Sequence, residues 1–202
     1  MKAFGIESGK IAPMLAANID TDVIMPKQFL KGIDRKGLGK GVFFDQRFLP
    51  NGDLNPEFVL NRPQWNGAKF LAVGPNFGCG SSREHAVWGL KQIGIRAVLG
   101  TSFGGIFFDN CQRNGLLVLE LESSLMLQLG EGVSSGRIKE IEIDLPSQKI
   151  NLGEGEGIDF DIDSIRKESL IQGLDVIGGT MKLMDSIQKF ERRHLMENPW
   201  LA

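Results

Sequence analysis

The sequence predicts an α/β fold with mixed sheets, built around a β-α-β-α-β core and closed by C-terminal helices. The main observation is that short apolar runs alternate with helical patterns between residues 69 and 122. Strand patterns interrupted by glycines follow this region, and two amphipathic segments end the chain. These features predict one domain over residues 1–202, with a helical C-terminal extension from about residue 165.

The first third of the chain is rich in turn residues. Glycines and cations dominate the segment KGIDRKGLGKG, residues 31–41, and such a composition scarcely packs as a core. We therefore expect an exposed surface loop there, and loops of this kind often carry function. Residues 50–63, bounded by prolines, are expected to form an irregular connection.

The core region reads as three strands separated by two helices. The predicted strands are KFLAV (69–73), IRAVLG (95–100) and LLVLELE (116–122). In the first helix Ala86, Val87, Leu90 and Ile93 share one face, and Gly94 ends it. The second helix is GGIFFDNCQRN (104–114), ending near Gly115. This order implies parallel strands joined by right-handed crossovers.

The last third predicts strands first and helices afterwards. The segment IKEIEIDL (138–145) alternates as a half-buried strand does, and KINLGEGEGIDFDI (149–162) is typical of a hairpin. Two amphipathic helices are predicted in DSIRKESLIQGLD (163–175) and MKLMDSIQKFERRHL (181–195).

Composition excludes several classes of function. Hydrophobic residues make up 42% and charged residues 24% of the chain, as in ordinary soluble globular proteins. A formal charge of -2 gives no electrostatic basis for binding nucleic acid or an anionic membrane. The sequence contains no signal-peptide pattern and no membrane-spanning apolar run, so we expect a cytoplasmic protein.

The cysteine and histidine content argues against a metal site in this chain. Cys79 and Cys111 cannot build a disulfide framework, which fits a reducing compartment. With only two histidines besides, the sequence lacks the clustered ligands of a structural zinc or an iron–sulfur centre. We therefore expect no metal ligands here.

The stretch GCGSSREHA, residues 78–86, is the strongest candidate for a functional motif. It does not fit a Walker loop, because serine follows Gly80, nor a dinucleotide fingerprint, because Arg83 replaces the third glycine. A serine nucleophile is also disfavoured, since the G-x-S-x-G elbow is missing and His85 is too close to Ser81 in sequence. Ser81 and Glu84 match a helix capping box, which is a purely structural interpretation.

Arg83 is not explained by capping. A cation in the first turn of a helix opposes the helix dipole at a cost of about 0.3–1 kcal/mol. Together with exposed amides and the hydroxyls of Ser81 and Ser82, this arginine indicates a small-anion site suited to a carboxylate.

The same stretch resembles the signature of the swivelling domain of the aconitase superfamily. The match continues in order through ANIDTDVIMP (17–26), QFLKGIDRKGLG (28–39), GTSFGGIFFDNCQRNGLL (100–117) and DFDIDSIRKESLIQGLDVIGGTMKL (159–183). Within the superfamily the chain is most similar to the bacterial small-subunit family of 3-isopropylmalate dehydratases, of the longer type. The resemblance implies a swivelling β/β/α domain.

The resemblance also implies a reaction and a partner. Members of this family help to interconvert 2-isopropylmalate and 3-isopropylmalate in leucine biosynthesis, by dehydration to 2-isopropylmaleate and rehydration. A four-iron–four-sulfur cluster is held by a large subunit, and the small subunit is active only with that partner. Two alternatives stay open: a dehydratase for a related hydroxy-diacid such as methylmalate or citraconate, and a stand-alone small-anion or nucleotide-binding module.

Site residues follow from the positions of the family motifs. The resemblance makes Ser81 the general base, and places the substrate carboxylate against Gly80, Ser82 and Arg83. Leu30, in the loop from Phe29 to Gly41, becomes the expected contact for the branched apolar group. Phe29 and Lys31 are candidates for the border of the site. Asp20, Thr21 and Asp22 are either further border residues or turn and cap residues.

Overall fold

The computed structural model describes residues 1–31, 35–153 and 155–201, and its strands form one mixed sheet of seven. The strands are β1 (Ile6–Met14), β2 (Phe70–Val73), β3 (Ala97–Gly100), β4 (Leu117–Glu120), β5 (Glu140–Asp144), β6 (Lys149–Gly153) and β7 (Glu156–Asp159). Their order across the sheet is β4-β3-β2-β1-β5-β6-β7. The predicted α/β class is confirmed, and so are the parallel β2-β3-β4 core and the β6-β7 hairpin.

Strand β1 joins the two halves of the sheet. Residues 6–10 pair antiparallel with β5, and residues 11–14 pair parallel with β2. The sequence alone gives no clear bounds for this strand, because Gly9 and Pro13 interrupt the pattern that a strand normally shows. The central strand of the molecule is therefore one that sequence patterns identify poorly.

Helices cover both faces of the parallel half. The helices of the described residues are α1 (Thr21–Ile24), α2 (Phe44–Arg47), α3 (Glu84–Gln92), α4 (Gly105–Asn114), α5 (Ser123–Ser134), α6 (Ser164–Gln172), α7 (Val176–Met181) and α8 (Met184–Glu197). Short 3-10 turns occupy Lys27–Phe29, Leu38–Lys40, Val59–Asn61 and Pro199–Leu201. Helices α3, α4, α6 and α8 lie where the sequence predicts them, whereas α5 and α7 were not predicted.

Alternate residues of each parallel strand point into two separate apolar layers. One layer packs Leu71 and Val73 of β2 against α3 and α4. The other packs Phe70 and Ala72 of β2 against α5, α6 and the antiparallel strands. Since both faces of β2 are covered, every residue of that strand is buried, which is why the sequence shows an unbroken apolar run there.

The loop at residues 31–41 is less exposed than its composition indicates. Gly32, Ile33 and Asp34 lie outside the described residues. In the part that follows, Leu38 is only 5% exposed and belongs to the layer that contains α3. The expectation that this segment scarcely packs is therefore wrong for its second half. Leu38, on a 3-10 turn, packs into that layer, while Arg35, Lys36 and Lys40 stay exposed.

The C-terminal helices differ in how they pack. Leu170 of α6 is buried in the second apolar layer, and the Phe4 amide donates to the Leu170 carbonyl at 2.9 Å. In contrast, neither α7 nor α8 contains a buried residue. The single-domain organisation, with an extension from about residue 165, stays a prediction. None of the helices in the described ranges is both long and apolar enough to cross a membrane.

A nearly buried ion pair ties the start of β1 to the residue that precedes β3. The Arg96 guanidinium donates to the Glu7 carboxylate at 2.6 and 2.8 Å, and to the Ala3 carbonyl at 2.7 Å. Their side chains are only 9% and 14% exposed. Removal of one partner from such a pair leaves the other charge buried without compensation.

We therefore predict that Glu7→Ala lowers the free energy of unfolding by about 3 kcal/mol, as expected when a buried pair is broken. Urea denaturation of the purified chain measures this change. Glu57→Ala is the matched control, because Glu57 pairs with Arg62 but its side chain is 83% exposed; its loss should cost less than about 1 kcal/mol. Equal effects of the two substitutions would contradict the assignment.

Candidate functional site

The candidate site lies at the carboxyl ends of β1, β2 and β3. The segments that follow these parallel strands, residues 15–20, 74–83 and 101–104, all emerge at the same edge of the sheet. Ligands of open α/β sheets bind at this edge, because loops from neighbouring strands converge there. The GCGSSREHA motif is the middle one of the three segments.

Backbone hydrogen bonds hold the middle segment on both sides. They run from the Gly78 amide to the Ile19 carbonyl (2.7 Å), from the Thr21 amide to Cys79 (2.8 Å), from the Phe77 amide to Ser102 (3.3 Å) and from the Gly104 amide to Phe77 (2.9 Å). We call this arrangement the backbone clamp. It makes residues 77–79 resemble a short central strand between two neighbours, so the loop that follows them starts from a fixed point.

Two glycines make the clamp sterically possible. A Cβ atom on Gly104 would lie 2.4 Å from the Gly78 carbonyl oxygen. Gly78 itself has a φ of +74°, and a Cβ there would lie 2.3 Å from the Phe107 ring. Neither position accepts another residue without moving the backbone. Gly78 and Gly104 therefore serve close packing, which agrees with the absence of a phosphate-loop pattern.

The serines of the motif are presented outward. Ser81 and Ser82 are both exposed, while the Ser81 carbonyl accepts a 2.9 Å hydrogen bond from the hydroxyl of Thr21. Thr21 is buried, at 2% exposed. Its hydroxyl therefore fixes the backbone at Ser81 from below and leaves the serine side chain free to face a ligand.

The predicted capping box is wrong. Helix α3 begins at Glu84, so Arg83 and not Ser81 occupies the N-cap position, and its side chain makes no capping hydrogen bond. Glu84 does not reach back either, because its carboxylate accepts a 2.6 Å hydrogen bond from the Asn114 amide. With its carbonyl held by Thr21, Ser81 stays two residues ahead of the cap.

Arg83 is held by the segment that contains α1. Its guanidinium forms an ion pair with the Asp22 carboxylate and donates to the Met25 carbonyl at 3.2 Å. The Arg83 side chain is 14% exposed, against 54% for that of Asp22. Arg83 lies at the N-cap of α3, and Asp22 compensates the charge that the sequence places near the positive end of the helix dipole.

The three residues Asp20, Thr21 and Asp22 have different structural roles. Asp20 caps α1, since its carboxylate accepts a 2.8 Å hydrogen bond from the Val23 amide. Thr21 and Asp22 instead contact the motif, through Ser81 and Arg83. Their direct contact with a ligand stays a prediction.

Leu30 lies five residues after Met25, whose carbonyl accepts from Arg83, on the continuation of the segment that contains α1. Phe29 and Leu30 are half-buried and pack against the apolar layer of α3, whereas Lys31 is exposed. A Cβ on Gly41 would lie 2.6 Å from the Phe29 ring, so the two limbs of the loop are in close contact. Whether Leu30 also touches a substrate stays a prediction.

Sequence patterns missed the residues that support α3. Asn114 accepts a 2.9 Å hydrogen bond from the Trp88 indole and donates to Glu84, so one buried amide holds the first two turns of the helix. The Lys91 ammonium donates to the Asn114 carbonyl, and burial, followed by the charges of Arg96 and Arg35, lowers the pKa of Lys91. These contacts join α3 to the end of α4, and no local motif signals them.

Both cysteines are free thiols. Cys111 is fully buried on α4, and burial raises the pKa of its thiol well above the ordinary value. Cys79 is half-buried in the backbone clamp. Among the described residues, no group of three or more His, Cys, Asp and Glu side chains is arranged to hold a metal ion.

Comparisons with known proteins define the class first. The family model described as the aconitase C-terminal domain matches residues 1–124, more than half of the chain. The chain therefore belongs to that family. A second model, described as the C-terminal domain of the small subunit of 3-isopropylmalate dehydratase, matches residues 177–202.

Full-length relatives narrow the class to small subunits of 3-isopropylmalate dehydratase. The chain is 56% identical to small subunit 1 of Mannheimia succiniciproducens, over 100% of this chain and 99% of the relative. It is 53% identical to small subunit 2 of Salmonella typhimurium, over 100% and 96%. The crystal structure of 3-isopropylmalate dehydratase from Methanocaldococcus jannaschii superposes with a TM-score of 0.65 at 26% identity, covering 91% of this chain and 99% of that one.

The hydroxyl of Thr21 generates a prediction about the loop. Thr21→Val keeps the shape of the side chain but removes the donor to Ser81, and such a loss costs about 1–2 kcal/mol of unfolding free energy. Denaturant unfolding measures it. The control is Thr180→Val, since the exposed Thr180 hydroxyl donates only to Val176 within its own helix, at 3.0 Å. If both valine variants unfold at the same denaturant concentration, Thr21 does not anchor the loop.

Proposed function

We propose that this chain is the small subunit of a cytoplasmic hydro-lyase that interconverts 2-isopropylmalate and 3-isopropylmalate in leucine biosynthesis. The reaction removes water to give 2-isopropylmaleate and adds it back at the adjacent carbon. The chain acts together with a large subunit, as the names of its relatives indicate. The observation that carries the proposal is the pair of exposed serines at the tip of a clamped loop, with Arg83 directly behind them.

Carboxylate binding is assigned to Arg83, Ser82 and the backbone at Gly80. Planar guanidinium groups bind carboxylates through two parallel hydrogen bonds. In the isolated chain Asp22 occupies one side of Arg83 and is itself half exposed. A substrate carboxylate would share or replace this partner, so Asp22 holds the arginine in place before the substrate arrives. Pre-organisation of this kind lowers the cost of ordering the side chain on binding.

Proton transfer is assigned to Ser81. Its Oγ, as an alkoxide, takes the proton from the carbon beside the bound carboxylate, and the electron pair of that C–H bond forms the carbon–carbon double bond. The hydroxyl on the neighbouring carbon leaves as water, with a proton supplied from the large-subunit wall of the site. Rehydration returns the proton from Ser81 as the hydroxyl adds to the other carbon. The carbonyl of Ser81 is anchored by Thr21, so the Oγ atom starts from a fixed backbone.

Serine is a weak base, and the isolated chain does not make it a strong one. Each unit of pKa represents about 1.4 kcal/mol, a helix terminus contributes up to about 2 kcal/mol, and a nearby cation lowers the pKa of an acid by about 1–3 units. Arg83 contributes less than this while it pairs with Asp22. Activation of Ser81 therefore depends on the closed, two-subunit site.

The iron–sulfur cluster expected for this family belongs to the large subunit. Cluster binding needs several cysteine thiolates in one place, and this chain has two cysteines, one of them fully buried. The residues of this chain do not fit the cluster. Their part is to bind the carboxylate, to move the proton and to form one wall of the site.

Substrate choice is assigned to Leu30. Burial of the three carbons of an isopropyl group at about 0.8 kcal/mol each amounts to about 2.4 kcal/mol, or near sixtyfold in specificity. The half-buried position of Leu30 against the apolar layer of α3 supports an apolar wall at this point. A dehydratase for methylmalate or citraconate would gain much less from such a wall.

The proposal is tested by mixing this chain with a cluster-bearing large subunit and measuring hydration of 2-isopropylmaleate. We expect no turnover by the chain alone, turnover by the mixture, and a loss of about 10²–10⁴-fold with Ser81→Ala, the usual range for a general base. Ser124→Ala, an exposed serine on α5, is the control and should keep turnover within about twofold. Turnover by the chain alone, or full activity of Ser81→Ala in the mixture, overturns the assignment.

Leu30→Arg should change substrate preference. We expect kcat/KM for isopropylmalate to fall by about sixtyfold, while an analogue with a carboxylate in place of the isopropyl group improves relative to it. Kinetics on both substrates, together with a thermal melt, check this expectation. Leu127→Arg, at an exposed position on α5, serves as the control. Equal losses on both substrates with a lower melting temperature would assign Leu30 to packing alone.

A further inference from the structure

The returning limb of the loop, residues 35–40, is held by one side chain of α3. The amide of Gln92 donates from Nε2 to the Arg35 carbonyl. Its Oε1 accepts a 2.9 Å hydrogen bond from the Gly39 amide. A single side chain therefore bonds backbone groups at two positions of the limb, although Gln92 is itself exposed.

Other contacts seat the same limb on the same helix. The Arg35 guanidinium lies over the Trp88 ring, 4.1 Å from its centroid, and Asn114 fixes that ring through the indole N–H. Leu38 is buried beneath the limb. The Gly39 carbonyl accepts a 3.1 Å hydrogen bond from Arg47, so Gly39 is bonded through both of its backbone polar groups.

These contacts connect the two ends of α3 with two different parts of the proposed site. Its first residue follows directly on Ser81–Arg83, and its last residue is Gln92. The same rigid helix therefore carries the proposed carboxylate and base residues at one end and fixes the limb at the other. At the near end of the loop, Phe29 packs against Gly41, so the position of one limb depends on that of the other.

We propose that Gln92 is a positioning residue for substrate choice: by docking residues 35–40 onto α3, it sets where the apolar wall at Leu30 stands relative to Ser81 and Arg83. The inference rests on the proposed function for the identity of the substrate-facing loop. It does not involve Gln92 in contact with the substrate. Loss of Gln92 should therefore alter discrimination between substrates more than it alters the chemical step.

The first experiment measures directly whether Gln92 holds residues 35–40 on α3. In Gln92→Leu, hydrogen exchange of the Gly39 amide in the full chain should be faster by about tenfold, which corresponds to about 1.4 kcal/mol. Exchange of the β2 amides should not change. Gln128→Leu provides the matched control, because Gln128 is an exposed glutamine on α5. Unchanged exchange at Gly39 in Gln92→Leu would overturn the docking.

The second experiment measures substrate preference in the assembled two-subunit enzyme. We expect the preference for isopropylmalate over methylmalate, as a ratio of kcat/KM, to fall by about fivefold in Gln92→Leu, within the range that apolar-pocket contacts provide. The change should lie mainly in KM for isopropylmalate, with kcat within about twofold. A merely structural role would lower both substrates alike and leave the ratio unchanged, and that result overturns the positioning role.

The two proposals fail separately. If the wild-type mixture does not turn over isopropylmalate, the proposed function fails. Hydrogen exchange at Gly39 still decides whether Gln92 holds residues 35–40 on α3. If the mixture is active but Leu30→Arg does not change the preference for isopropylmalate over the carboxylate analogue, Leu30 is not a substrate contact and the positioning inference falls with it. If Leu30→Arg changes substrate preference but Gln92→Leu leaves the preference for isopropylmalate over methylmalate unchanged, only the positioning inference is lost.

Discussion

The backbone clamp around residues 77–79 is the constraint on which the rest of the site depends. Side chains reach the rim of this sheet from three loops, and loops by themselves hold position poorly. Here hydrogen bonds on both sides turn the middle loop into an extension of the sheet. The close approach of Gly104 to Gly78 allows that extension, so the place of Ser81 is fixed by main-chain geometry before any side chain contributes.

Electrostatics at the site are arranged around Arg83. Its charge is balanced by Asp22 and by the Met25 carbonyl, so the isolated chain does not bury an uncompensated cation, which would be costly. The partner that holds the arginine is more exposed than the arginine itself. The carboxylate of the proposed substrate would therefore meet a guanidinium whose orientation is already set. The same segment continues to Leu30, so one stretch of chain connects the partners of Arg83 with the proposed apolar wall.

Sequence patterns predicted what is encoded locally and failed where contacts are distant. The buried strands β2, β3 and β4 show continuous apolar runs, and Gly94 and Gly115 mark helix ends through left-handed backbone conformations. The serine-arginine motif was located for the same reason. Its supports were not, because Thr21 and Asp22 are about sixty residues away from Ser81 and Arg83 in the chain. The capping box failed because α3 begins only at Glu84 and the Glu84 carboxylate accepts from Asn114, thirty residues further along the chain, which no local pattern records.

The pairing of strand β1 with β5 affects how the chain folds during synthesis. Its residues 11–14 find their parallel neighbour at residues 70–73, but residues 6–10 pair with residues 140–144. At about 5–20 residues synthesised per second, the outer edge of β1 waits roughly 7–26 s for β5 to leave the ribosome. An unpaired edge is a template for misassociation, and charged side chains protect such edges. Glu7 and Lys10 lie on this edge, so their charges disfavour association of the nascent chain with other strands until β5 pairs with it.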